Sequence, residues 1–407
     1  MCIRDRALTV RQSKGVIVEY GEDGIALDPD RKGTDHPIFV THAHADHSSS
    51  FKNPDPVKHA TEPTYRLLEA LSWRGLNNWK PVTIGDKVKI GEIEVRPLNA
   101  GHVLGSVQYE VSTPEGTVLY TGDLSMGNSY TMEPAKAVNC DLLIIETTFG
   151  APQFKFPPRK EVALEMIRWA VMESIPAGYV PAFRTDSIGN AQEVISIFNR
   201  MTNLPVVTAK SATKVSDVYR QFGHKLDYVD SNTPEGQELL ESGRCVVIAP
   251  KGAKLSIENL DPALASGWAA IMRNRVKAFP LSDHADFREL LSFIRRCRPK
   301  RVLTFHGGKM TRGFAEYVRK RLGIDARPLT MRQETLMGPV NQAEMRRKAC
   351  AENIVRAIRI PGFEYTEPWM VREMARKGFS KGETETALRH LIDVGVLETT
   401  SAGVKLP

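Results

Sequence analysis

Within Thr41-His42-Ala43-His44-Ala45-Asp46-His47, three imidazoles and a carboxylate fall in six residues, directly after the apolar run Pro37-Ile38-Phe39-Val40. These are the donor types that hold zinc-class divalent metals. His42 and His44 are two apart, so at the end of an extended strand both project to one side. Asp46 and His47 follow once the chain has turned. Four donors aimed in two directions suit two metals better than one. The chain has only 10 histidines in 407 residues, so three in one loop argues against plain solvated histidines.

Further donors follow apolar runs. His102 lies in Asn99-Ala100-Gly101-His102-Val103-Leu104-Gly105-Ser106, and Asp123 closes Val118-Leu119-Tyr120-Thr121-Gly122-Asp123. Glu146 closes Leu142-Leu143-Ile144-Ile145-Glu146, His284 follows Phe279-Pro280-Leu281-Ser282-Asp283, and His306 follows Val302-Leu303-Thr304-Phe305. Short Val, Leu and Ile runs read as buried strands, which puts each of these groups at a strand end. His284 comes 161 residues after Asp123, with only His224 between them and no ligand-like context around it. That gap has room for an inserted domain.

The first loop is an H-x-H-x-D-H signature, and residues from about 15 to 330 resemble the metallo-β-lactamase superfamily. The stretches around Glu146, His284 and His306 resemble the acidic and histidine motifs of its β-CASP nucleases. Ser187-Ile188-Gly189-Asn190-Ala191-Gln192-Glu193 resembles the opening of a β-CASP domain. The resemblance implies two Zn2+ or similar divalent metals. His42, His44 and His102 would hold one, Asp46, His47 and His306 the other, and Asp123 would bridge them. It also implies catalytic roles for Asp46, Glu146 and His284. Asp46 would accept the water's proton, and His284, oriented by Glu146, would protonate the leaving oxygen. Asp283 and Gly308 depart from the usual pattern without blocking this chemistry.

The expected fold is α/β: a metallo-β-lactamase αββα sandwich with an inserted β-CASP α/β domain and a C-terminal winged-helix-like module. Residues 15–150 and 276–335 would form the two parts of the lactamase domain. Residues 151–275 would form the insertion, because helix patterns such as Arg159 to Met172 and Gly189 to Met201 alternate with apolar strands, the mark of a parallel sheet. Residues 345–407 read as three helices and a hairpin. Ser380-Lys381-Gly382-Glu383 there has capping-box spacing.

Composition is ordinary globular chemistry, 42% hydrophobic and 25% charged. No apolar run approaches a membrane span, and Met1-Cys2-Ile3-Arg4-Asp5-Arg6 is too short and too charged for a secretory signal. The five scattered cysteines form no C-x-x-C pair, so reduced thiols in a cytoplasmic protein are expected. Net charge is +7, and residues 288–348 carry 16 Lys/Arg against 5 Asp/Glu. That excess suits a polyanion, with Arg295, Arg296 and Arg298 as candidate phosphate contacts. Asp28 could hydrogen-bond the metal loop or serve as a turn residue before Pro29. His36, His59 and His390 read as surface or structural residues.

The function this implies is a zinc-dependent nuclease acting on single-stranded nucleic acid, RNA in preference to DNA, similar to RNA 3′-end processing exonucleases. The alternative is a ligase-associated-type DNA exonuclease. A small-molecule hydrolase of the same fold is opposed by the long gap before His284. A non-cutting nucleic-acid-binding scaffold is opposed by the complete donor set.

Overall fold

The structure, a computed structural model, describes residues 7–30, 33–73, 76–253, 259–272, 277–336, 338–339, 342–358, 363–401 and 403–406. The opening hexapeptide with Cys2 lies outside them. Two units divide the chain, residues 7–331 and 332–407.

The first unit is built on sheets whose strands end where the chemistry-bearing residues begin. One sheet runs in chain order through Leu8–Gln12, Val16–Tyr20, Asp23–Leu27, Ile38–Phe39, Lys58–Ala60 and Trp79–Pro81. Its first three strands are antiparallel and the rest join in parallel. A second sheet has the order Asp325–Pro328, Arg301–Phe305, Leu142–Glu146, Gly116–Tyr120, Val107–Thr113, Ile93–Asn99, Val88–Ile90. The two sheets meet through large buried rings. Phe39 lies edge-on to Tyr109 at 5.4 Å, and the Tyr109 hydroxyl donates to the Val40 carbonyl at 2.9 Å. The lactamase-type sandwich expected from the sequence is present.

Helix Phe287–Cys297 covers the second sheet. It buries Phe287, Leu290, Leu291, Ile294 and Cys297, an i, i+3, i+4, i+7 stripe. Its start is fixed by Asp286, whose Oδ1 accepts from the Arg288 and Glu289 amides while Glu289 accepts from the Asp286 amide. His284 therefore stands two residues before a rigid helix entry.

Residues between Glu146 and His284 form a third sheet, all parallel: Val229–Asp230, Val206–Thr208, Val246–Pro250, Val180–Thr185, Leu260–Ala265 and Lys277–Phe279. The expected helices are there as Arg159–Arg168 and Asn190–Met201. The strand Lys277–Phe279 belongs to this sheet.

In the second unit, helices Gln342–Ala357, Glu367–Arg376 and Lys381–Asp393 precede a short hairpin, Glu398–Thr399 with Val404–Lys405. Ser380 and Glu383 form the expected capping box. Cys350, Ile354, Met370, Met374, Leu388 and Leu391 make a core within this unit.

Candidate metal centre

The metal loop leaves its strand at Thr41 and is held from beneath by Asp28. This aspartate has a left-handed backbone, φ 46°, ahead of Pro29. That conformation is uncommon for a residue other than glycine. Its carboxylate accepts from the Thr41 amide at 2.7 Å, the Thr41 hydroxyl at 2.6 Å, the Tyr120 hydroxyl at 3.0 Å and His47 Nδ1 at 2.7 Å. The turn reading and the loop-binding reading of Asp28 are both realised.

These bonds set the tautomers. The Thr41 proton goes to Asp28, so Thr41 Oγ1 accepts from His42 Nδ1 at 3.0 Å. His102 Nδ1 donates to the Asp283 carbonyl at 2.9 Å. His42, His47 and His102 therefore present bare Nε2 atoms when neutral. His44 Nδ1 lies 3.1 Å from both His42 Nε2 and His102 Nε2.

Asp123 arrives from the second sheet, on a turn whose Gly122 must lie against Thr41. A Cβ on Gly122, at φ 53°, would fall 2.7 Å from the Thr41 side chain. Asp123 Oδ2 sits 3.6 Å from His42 Nε2, 3.5 Å from His47 Nε2 and 3.8 Å from His102 Nε2. Its Oδ1 is 3.9 Å from His306 Nε2, which is 3.4 Å from Asp46 Oδ2. Among the described residues four groups have ligand atoms within 4.8 Å of one another, and two of them hold the donors: His42, His44, His102 and Asp123, and Asp46, His47 and His306. All seven donors named from the sequence come together, with Asp123 facing both groups.

The residues fit divalent metals. Burial, aided by neighbouring imidazoles, holds His44 and His102 at a pKa of about 4 and His42 well below the usual value, so all three are neutral at pH 7. Asp123 is buried, yet the surrounding histidines keep its carboxyl well below the ordinary range. Lone pairs and a carboxylate converging in a buried space match the ligand chemistry of zinc-class cations. His47 Nε2 and Asp123 Oδ1 are buried without a hydrogen-bond partner, both aimed into this space. Burial opposes the charge on His47, but Asp123 and Asp28 raise its pKa to about 10.

His306 also has a left-handed backbone, φ 47°, and its carbonyl is held by the Thr148 hydroxyl at 3.3 Å. Beside it, Glu146 is fully buried and accepts from the Leu124 amide at 2.8 Å and from His284 Nδ1 at 3.0 Å. The other ring nitrogen of His284 lies 3.9 Å from Asp123 Oδ2 and from Asp283 Oδ1. Burial pushes the His284 pKa down, but Glu146 and Asp123 carry it up to about 10.

A cavity of about 460 Å³ opens over these groups, lined by His44, Asp46, Asp123, His284 and His306 together with residues of the third sheet's loops. Ser187 lines it, whereas Arg184 is bonded to the Ala253 carbonyl at 2.6 Å. The arginines expected to meet substrate lie elsewhere. Arg295, Arg296 and Arg298 are at the end of helix Phe287–Cys297. Nearby, Lys300 pairs with Asp141 at 2.7 Å, at the start of the strand that ends in Glu146. This is the opposite end of the sheet from the donors, so these three arginines do not line the cavity, whereas Arg288 at the start of the same helix lines a neighbouring pocket with His284. Lys251, on the insertion, lines the metal cavity and pairs there with Asp186 at 2.7 Å.

Residues 37–143 match the metallo-beta-lactamase superfamily, and residues 270–328 match the RNA specificity domain of Zn-dependent metallo-hydrolases. The chain carries a metallo-β-lactamase domain. It is 32% identical over 301 residues to a probable DNA ligase of Opitutus terrae, covering 71% of this chain and 28% of that protein. It is 24% identical to an RNase J-like protein of Methanocaldococcus jannaschii, over 70% of this chain and 85% of that one. It is 25% identical to RNase aCSPSF2 of Saccharolobus solfataricus, over 61% and 60%. The superfamily fold also appears in a crystal structure of a protein of unknown function from Enterococcus faecalis V583, with TM-score 0.60 and 14% identity, over 81% of this chain and 99% of that one. The two matched segments, one before the third sheet and one beginning ahead of its last strand, are consistent with β-CASP nucleases.

Sequence reasoning missed two supports. The Asp283 carbonyl orients His102 across 181 positions of sequence. Buried Glu193 gathers Ser129, Tyr130, Thr131 and Arg159, tying the insertion to the loop after Asp123. Both residues lie in stretches already singled out, but no local pattern marks either contact. Among the described residues, no helix is long and apolar enough to cross a membrane.

Proposed function

We propose that this protein hydrolyses phosphodiester bonds of single-stranded nucleic acid. The observation that carries the reading is the position of the Glu146–His284 pair beside the Asp123 carboxylate that faces both donor groups. His42, His44 and His102 would hold one metal, Asp46, His47 and His306 the other, with Asp123 shared. Two bound metals would bring a water's pKa toward about 7 and offset the charge that builds on the phosphoryl oxygens.

The chain's own residues do the rest. Asp46, exposed at the cavity, accepts the attacking water's proton. His284 carries a proton on its cavity-facing nitrogen and gives it to the departing sugar oxygen. Glu146 holds that ring by Nδ1 and keeps it protonated at neutral pH. The insertion's loops line the far side of the cavity, which suits an unpaired strand.

RNA is the substrate we advance, supported by the RNA specificity domain match and by relatives named as RNases. DNA is the second reading, favoured by the higher identity to a probable DNA ligase. The residues from about 345 onward we read as a winged-helix-like module that adds affinity. Matched end-labelled RNA and single-stranded DNA, assayed at one salt concentration, test these readings together. Cleavage lost in chelator is expected. Faster DNA cleavage selects the second reading, and no cleavage of either strand removes both.

A further inference from the structure

Trp268 is 43% exposed, on a short helical turn, Gly267–Ile271, at the rim of the metal cavity. At this rim the indole is open to a flat ligand that enters the cavity. Its described aromatic neighbours touch it without covering a face in parallel. Phe154 meets it edge-on, 90° at 5.5 Å, and Phe149 is tilted by 60° at 5.1 Å. Trp79, by contrast, stacks flat on Tyr65 at 4.0 Å and 11°. Trp73, which also lines the cavity, has the Lys52 ammonium over its ring at 4.6 Å.

The turn is built into the site. A Cβ on Gly267 would fall 2.5 Å from the Phe149 ring and 2.9 Å from Ser282 Oγ, so only glycine allows this approach. Phe149 is buried under Trp268 and meets the His284 ring edge-on at 5.8 Å. The indole is thus one ring removed from the group that would protonate the leaving oxygen.

We propose that Trp268 is a stacking platform for an unpaired base next to the scissile phosphate. Resting on the nuclease reading, this makes Trp268 a specificity residue that accepts any base and rejects a paired one, because every base offers a π-face only when unstacked. Trp268 takes no part in metal binding or proton transfer.

The test is equilibrium binding of the full chain, in chelator so that nothing is cut, to a thymidine oligonucleotide and to an abasic strand of equal length. Wild type is expected to bind the base-bearing strand more tightly. Trp268→Ala is expected to lose about tenfold on that strand, the scale of one base–aromatic stack, and little on the abasic one. Trp268→Phe should recover most of the difference. Equal losses on both strands, or an unchanged affinity in Trp268→Ala, would overturn the proposal. A base preference that depends on Trp268 in a protein that cleaves nothing with metal restored would sink the nuclease reading and leave the stacking standing.

Discussion

The Asp28 carboxylate receives His47 Nδ1 at 2.7 Å while its remaining acceptor capacity is taken by Thr41 and Tyr120. One buried acid thus fixes the tautomer of a metal-loop histidine and pins the loop to both sheets. Such partners of ligating histidines commonly change metal affinity 10- to 100-fold. Asp28→Asn should therefore weaken the site of Asp46, His47 and His306 by about that factor. The site of His42, His44 and His102 should change less. Stepwise metal titration resolves the two, and equal weakening of both would show that Asp28 acts only through the loop's fold.

His284→Ala should keep its metals and slow cleavage by about 10²–10⁴, the usual size of an acid–base contribution. Glu146→Gln should act in the same direction, since the ring would lose the carboxylate that keeps it charged. Metal content and single-turnover rates measured on the same preparations check this. Loss of a metal from His284→Ala would exchange the roles assigned to His284 and His306.

His59 gives a pH dependence away from the site. It is buried, with its ring stacked 4.6 Å from Phe39, and burial, helped by Lys80, lowers its pKa to about 4. In the unfolded chain the ring titrates near its ordinary value of about 6.5. Between those values the unfolded chain binds a proton that the folded ring refuses. This contribution to stability is whole above about 6.5 and is lost as pH falls toward about 4. Denaturant midpoints in chelator should show that acid loss in wild type, and a shallower one in His59→Phe. Identical slopes would assign the loss to other groups.

A chain ending near Pro339 should fold, take up metal and cleave short strands, because the helices and hairpin that follow make a core of their own. Its affinity for longer strands should fall, with a smaller salt dependence if phosphate contacts go with the tail. Insolubility of that chain would argue for a structural role of the tail.

The metal loop was legible because its donors are local: His42 and His44 share one side of a strand end at a spacing of two. Glu146, His284 and His306 were legible through their resemblance, taken together and in order, to β-CASP motifs, since an apolar run ending in a polar residue is commonplace by itself. The insertion's parallel sheet followed from alternating helix and strand patterns. The supports were not legible. The His102–Asp283 bond is a backbone carbonyl contact across the whole insertion, and it depends on backbone position rather than on residue type. Arg295, Arg296 and Arg298 lie away from the cavity because one helix and a strand of five residues separate that end of the sheet from Glu146 and His306.

Metal content is the most direct test of the whole reading. Elemental analysis of protein purified without added metal should approach two divalent ions per chain, with His42→Ala and Asp123→Ala losing metal and activity together. Near-zero metal in wild-type protein that cleaves at full rate in chelator would contradict a two-metal nuclease outright.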